Sequence, residues 1–146
     1  ARHGLQIEIG PTPQGLLRAD VIDSTERALH LALEYLELHN RGCAPTPPPS
    51  MEVFVDRGKI AWERGPPGSL LPGSVVHGSL QDRDFMPLRK GMALFERLDG
   101  TVVPYDGSLG DVVHPIFINE AAYYYAQSGT GVGMTECIDW PLRQLE

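Results

Sequence analysis

At 146 residues and 42% hydrophobic content, the chain suits one ordinary domain or two small pieces and is too apolar for a disordered polymer. A net charge of −7 at neutral pH argues against a nucleic-acid partner, which wants a basic face, but leaves room for a locally basic pocket around a small anion. No apolar run approaches the roughly 18 residues of a membrane span, and the opening ARHGLQIE carries no hydrophobic signal segment. Cys43 and Cys137 are far apart and form no CxxC. A cytoplasmic chain with two free thiols is therefore expected at least as readily as one with a structural disulfide.

The first patterned stretch is LQIEIGPTPQGLLRA, residues 5–19. Leu5, Ile7 and Ile9 alternate with Gln6, Glu8 and Gly10, the period of a strand. Gly10-Pro11 stops it, and Pro13 and Gly15 keep the chain in a turn. Glu8 falls near the carboxyl end of this strand, where groups in α/β proteins face the ligand crevice. A carboxylate there serves as general base or acid if burial or a partner tunes it. The plainer reading, which the pattern alone favours, is an edge-strand Glu on the solvent face.

From about residue 19 to 40, Ile22, Leu29, Ala32, Leu33 and Leu36 recur at three- and four-residue spacing and predict an amphipathic helix. Asp20 and Asp23 suit its N-terminal end, and Asp20 or Ser24 is the expected cap. Gly42, free to take positive φ, is the expected stop. CAPTPPPS, residues 43–50, holds four prolines and excludes regular structure, which makes it the best boundary in the chain. The roughly forty residues before it are too few to bury their own core. They read as the last strand-turn-helix unit of a larger α/β sheet.

Beyond the boundary the period shortens. Strands are expected at 51–55 and 59–62 around a turn at Asp56-Arg57-Gly58, and at 74–80. Two more, at 92–97 and 101–105, flank a hairpin turn at Leu98-Asp99-Gly100, and the last lie at 111–119 and 131–138. Residues 63–73, rich in Gly and Pro, read as loop. Such a series predicts a small all-β, barrel-like domain. The expected fold is α/β plus all-β, with residues 1–42 in the first part, 43–50 as linker and 51–146 as the β-rich part.

Catalytic zinc needs three protein ligands. His3, His30, His39, His77 and His114 stand in no HxxE, HxxxH or HExxH arrangement, and each reads as structural or solvent-exposed. Asp82-Arg83-Asp84 is a single DxD without further ligands and reads as a turn with local ion pairs. Arg83, Arg89 and Lys90 form a mildly basic patch without interleaved aromatics, which is no nucleic-acid site. In NEAAYYY, a tyrosine can donate a hydrogen bond to a carboxylate or an oxyanion, although packing is the commoner use of such residues.

Three blocks carry a resemblance. IEIGPTPQGLLRAD (7–20), HGSLQDRDFMPLRKGMALF (77–95) and HPIFINEAAYYY (114–125) closely resemble stretches of the aspartoacylase family, zinc amidohydrolases of N-acyl amino acids, in that family's order and spacing. The resemblance covers nearly the whole chain but only the C-terminal half of a family member. It implies the end of a zinc-carboxypeptidase-like α/β catalytic domain, then a β-rich domain that partly shields the entrance. The implied reaction is hydrolysis of an N-acyl-L-amino acid, N-acetylaspartate or an N-acyl aromatic amino acid, to a carboxylate and a free amino acid by zinc-activated water.

By the same resemblance, Glu8 is the carboxylate beside the zinc-bound water. Tyr123, the first tyrosine after the paired alanines, contacts substrate, and Glu120 supports the site structurally. The family's zinc ligands, an HxxE pair and a later His, belong to its N-terminal half, as do the arginines that hold the substrate carboxylate. No metal ligand is therefore assigned within this chain, which alone is expected to bind no catalytic zinc and to be inactive. Two departures matter. Thr12 stands where the signature often has Gln, and Tyr125-Ala126-Gln127 follow where aspartate-specific relatives carry Glu then Lys after their paired tyrosines. The missing charge suits aromatic or neutral acyl-amino acids at least as well as a dicarboxylate. The expected partners are the small-molecule substrate and the missing N-terminal half, in cis or as a fragment. An unpaired sheet edge at residues 5–9 would also favour a homo-oligomer. The alternative is a non-catalytic β domain that binds protein, or a subunit lacking a zinc site.

Overall fold

The computed structural model describes residues 4, 6–10, 12, 15–69, 72–118 and 130–142. The chain divides into two compact units, Ala1–Pro47 and Pro48–Glu146.

The first unit is built on helix α1, Ala19–Asn40. Its limits match the apolar periodicity, but its capping does not match the expectation. Arg18 is the N-cap and makes no side-chain cap bond. Its guanidinium instead donates to both Asp20 oxygens, at 3.0 and 2.7 Å, and Ser24 donates back to the Asp20 carbonyl at 2.7 Å. Both predicted caps are thus engaged elsewhere. The other end closes as expected. Gly42 takes φ +70°, its N–H donates to the His39 carbonyl at 3.0 Å, and the Cys43 N–H reaches Leu38 at 2.8 Å. These are the two bonds of a Schellman motif, which only a residue tolerant of positive φ completes cheaply. No helix residue is buried, and Ile22, Leu29, Leu33 and Leu36 are each more than half exposed.

The strand expected at 5–9 is not formed by the described residues 6–10, which pair with no other strand among the described residues. Alternation supplies a face, but a ladder also needs a neighbour for its N–H and C=O groups.

Among the described residues, every strand pair of the second unit is antiparallel. Strands β1 (Ser50–Ala61), β2 (Ser74–Val76), β3 (Leu88–Arg89), β4 (Ala93–Arg97), β5 (Val102–Pro104), β6 (Val112–Ile116) and β7 (Thr130–Pro141) form two sheets, with a 3₁₀ turn at Gly78–Leu80. One sheet runs β1-β7-β6-β3 and the other β2-β4-β5. The expected pair of strands at 51–55 and 59–62 is one strand. Asp56 lies opposite Thr135 and Gly58 opposite Met134, so Arg57 is skipped and Asp56-Arg57-Gly58 is a bulge rather than a hairpin turn. Gly58 takes φ +119° there, and its N–H donates to Asp56 Oδ1 at 2.9 Å. The strand expected at 74–80 stops at Val76. His77 ends it, its Nδ1 accepting the Ser79 N–H at 3.2 Å to open the 3₁₀ turn.

The β4–β5 hairpin forms as read. The Arg97 N–H donates to the Thr101 carbonyl at 2.9 Å, and Asp99 Oδ1 accepts the Thr101 N–H at 2.9 Å. The core lies between the sheets: Leu88, Tyr105, Val113, Val132 and Met134 are at most 1% exposed. Each such apolar side chain contributes about 1.5–3 kcal/mol by leaving water. Tyr105 keeps its hydroxyl satisfied in that setting, donating to the Gly110 carbonyl at 2.9 Å and accepting the Leu109 N–H at 3.1 Å.

Candidate functional site

Of the three residues singled out by the sequence, the structure describes Glu8. It lies ahead of α1 in the first unit, exposed, and its Oε1 accepts a hydrogen bond from Gln6 Nε2 at 3.1 Å. Tyr123 and Glu120 lie outside the described residues.

Strand β6, Val112–Ile116, leads into that second motif. The last rungs of β6 pair His114 with Thr135, Pro115 with Met134 and Ile116 with Gly133. Thr135 Oγ1 also donates to the His114 carbonyl at 2.8 Å. The His114 ring stands edge-on to Phe54, centroids 5.4 Å apart, and Phe54 packs against Phe85 at 4.8 Å. His114 Nδ1 is buried and finds no partner among the described residues. Past Ile116 the chain leaves the ladder, with Phe117 at φ +59°.

The Asp82-Arg83-Asp84 turn meets the chain at this point. The Phe85 N–H donates to the Pro115 carbonyl at 2.8 Å, and Asp84 Oδ1 accepts the Ile118 N–H at 3.3 Å. Asp82 takes the Gln81 side-chain amide at 2.9 Å. The turn was expected and is present, but the expected ion pairs are not: among the described residues neither aspartate is paired with Arg83. The carboxylates are used on an amide and on a backbone N–H 34 residues away. Asp82 and Phe85 have φ +57° and +64°. Positive φ in non-glycine residues costs roughly 1–3 kcal/mol each and persists only where surrounding bonds over-determine it. The DxD pattern alone gives no hint of Asp84's partner, because that partner comes from the chain just past the end of β6.

Both cysteines are free thiols. Cys137 Sγ donates to Glu52 Oε1 at 3.1 Å across β1 and β7, and this bond, with desolvation and the nearby negative charges, pushes the thiol pKa up. Among the described residues no group of three His, Cys, Asp or Glu could hold a metal ion. No helix among them is long and apolar enough to cross a membrane.

The two-sheet second unit is a barrel-sandwich hybrid: the family model of the AstE/AspA barrel-sandwich hybrid domain matches residues 49–132. The chain is 40% identical to aspartoacylase of Rattus norvegicus over 124 residues, 85% of this chain and 38% of that protein. It is also 40% identical to the N-acyl-aromatic-L-amino acid amidohydrolase (carboxylate-forming) of Homo sapiens over 136 residues, 93% of this chain and 40% of that one. The crystal structure of murine aminoacylase 3 superposes with a TM-score of 0.74 at 35% identity, over 92% of this chain and 43% of that one. The chain belongs to the aspartoacylase family. It spans about two-fifths of the length of the relatives it matches.

Proposed function

We propose that this chain is the C-terminal portion of a cytoplasmic hydrolase that cleaves N-acyl-L-amino acids to a carboxylate and a free amino acid. The observation that carries the reading is 40% identity, over nearly the whole chain, to relatives named for that chemistry. In this reading residues 1–42 complete a zinc-carboxypeptidase-like α/β catalytic domain, 43–50 link, and 51–146 form a β-rich C-terminal domain. The open apolar stripe of α1 supports the first assignment, since a helix with such a face normally buries it.

In this reading the zinc ligands belong to the upstream part of the protein, as the resemblance to the family implies, and among the described residues no group of three His, Cys, Asp or Glu could hold a metal ion. Zinc bound there would polarise the amide carbonyl. This chain's own residues act on protons and position. Glu8 takes a proton from the attacking water as its oxygen bonds to the acyl carbon. It returns that proton to the amine nitrogen as the C–N bond breaks. The hydroxyl of Tyr123 donates to the substrate carboxylate or to the developing oxyanion, and Glu120 holds the motif in place.

Tyr125-Ala126-Gln127, standing where aspartate-specific relatives carry Glu then Lys, suits aromatic or neutral acyl-amino acids at least as well as N-acetylaspartate, so both substrate classes are tested. The test is hydrolysis by the zinc-loaded full-length protein of N-acetyl-L-phenylalanine and N-acetyl-L-aspartate side by side. Release of a free amino acid from either supports the hydrolase. Turnover of neither would leave a non-catalytic β domain as the better reading.

A further inference from the structure

The four-stranded sheet β1-β7-β6-β3 has one face on the core and one turned away from it. Val113, Pro115 and Met134 fill the core face, so the alternation of the strands puts their neighbours on the other. The register fixes which residues share that outer face. Glu52 stands opposite Asp139, Phe54 opposite Cys137 and Asp56 opposite Thr135. Thr135 in turn lies opposite His114, and Arg89 lies opposite Val112 at the β3 edge. The Phe54 ring meets both His114 and Phe85 at the centre. Phe85 is 52% and Val112 38% exposed. The face is therefore acidic on β1 and β7, largely apolar in the middle and basic at β3. Lys59, opposite Gly133, shares it toward the far end of β1.

Like charges directly opposite on paired strands repel, and Glu52 and Asp139 are so placed. Among the described residues neither forms an ion pair. Glu52 accepts a hydrogen bond from the Cys137 thiol, which brings no positive charge. At the other edge Arg89 is exposed and likewise forms no ion pair among the described residues, as does Arg83 in the turn that carries Phe85. Each edge of the face thus supplies what the other lacks. We propose that two copies of the chain associate through this face. A two-fold axis along the strands lays the β3 edge of one copy over β1 and β7 of the other. Arg89 of each then meets the partner's Glu52 and the partner's Asp139, around a shared apolar centre of Phe54 and Phe85. Nothing in this pairing depends on the hydrolase reading, because it uses the sheet of the second unit alone.

The test is sedimentation equilibrium of the full-length protein at about 1–100 μM, the range expected of a small interface. The wild type should reach the mass of a dimer within it. Arg89→Glu and Asp139→Arg should each raise the dimer Kd about tenfold or more, because each substitution acts at two symmetric contacts. Combining them should bring Kd most of the way back, since the charges are exchanged and the pairing is kept. Circular dichroism checks that each variant is folded. If Arg89→Glu is not, Arg89→Gln, which removes the charge without reversing it, takes its place with a smaller rise. A wild type that stays monomeric across the range would overturn the proposal and leave the acid pair as a guard of the β1 edge. A dimer whose Kd ignores the single charge reversals, or single losses that the combination does not repair, would overturn it as well by placing the interface elsewhere.

Discussion

Arg97 grips the Glu63 carboxylate through two hydrogen bonds, Nε to Oε2 at 2.8 Å and Nη2 to Oε1 at 2.7 Å, tying the end of β4 to the loop that follows β1. The same loop is closed by the Gly73 N–H on the Glu63 carbonyl at 2.6 Å and by the bridge between Arg64 and Pro72. A bidentate guanidinium pair fixes geometry as well as charge.

The pair gives the β domain a pH dependence of known sign. The hydrogen bond from Arg97 holds the Glu63 carboxyl below its ordinary range, and the bonds from Thr101 do the same for Asp99. A depressed folded-state pKa stabilises above the unfolded carboxylate range, about 4, and that contribution is lost as pH falls through the folded value. The urea midpoint should therefore be flat from about pH 7 to 5 and should drop below about pH 4. Arg97→Gln should flatten part of that drop. Asp99 is exposed and Glu63 partly so, which keeps the change small, and high salt should reduce it further.

Gly131 tests the β1–β7 pairing. A Cβ there would sit 2.4 Å from the Ile60 carbonyl oxygen and 2.8 Å from the Trp62 nitrogen, both backbone atoms that cannot swing aside. Gly131→Ala should destabilise by about 3 kcal/mol or more, as strained core changes do. Gly100→Ala, at φ +84° in a turn with open space around it, should cost only about 1 kcal/mol. Denaturant midpoints of the two variants at constant slope would measure the contrast, and equal losses would mean the β1–β7 approach is looser than described.

The buried Tyr105 hydroxyl bridges Leu109 and Gly110. Tyr105→Phe keeps the ring but leaves a backbone N–H and a carbonyl without that partner. A loss of about 1–3 kcal/mol is expected, read from chemical denaturation with an unchanged slope.

Glu8→Gln in the full-length protein should leave zinc content unchanged and lower kcat by far more than tenfold, since the amide cannot carry the proton between water and amine. Metal analysis and steady-state kinetics on the same preparation decide it. Turnover within about tenfold of wild type would remove Glu8 from the proton path.

Local chemistry made part of this protein legible from its residues alone. The period of Ile22, Leu29, Leu33 and Leu36 and the freedom of Gly42 bound α1 to Ala19–Asn40, because helix hydrogen bonds and a Schellman stop are made within a few residues. Leu98-Asp99-Gly100 specifies the β4–β5 hairpin for the same reason. The three motif blocks sufficed to place the chain in its family. Other features depend on partners far along the chain. Asp56-Arg57-Gly58 has the residues of a turn and becomes a bulge because β7 runs past both sides of it. Residues 6–10 have the alternation of a strand without a neighbour among the described residues to complete a ladder. Asp84 looked like one half of a weak metal motif until β6 brought the Ile118 N–H to it. Pairing across 34 residues is set by where two sheets close around a shared core, and no local pattern encodes that distance.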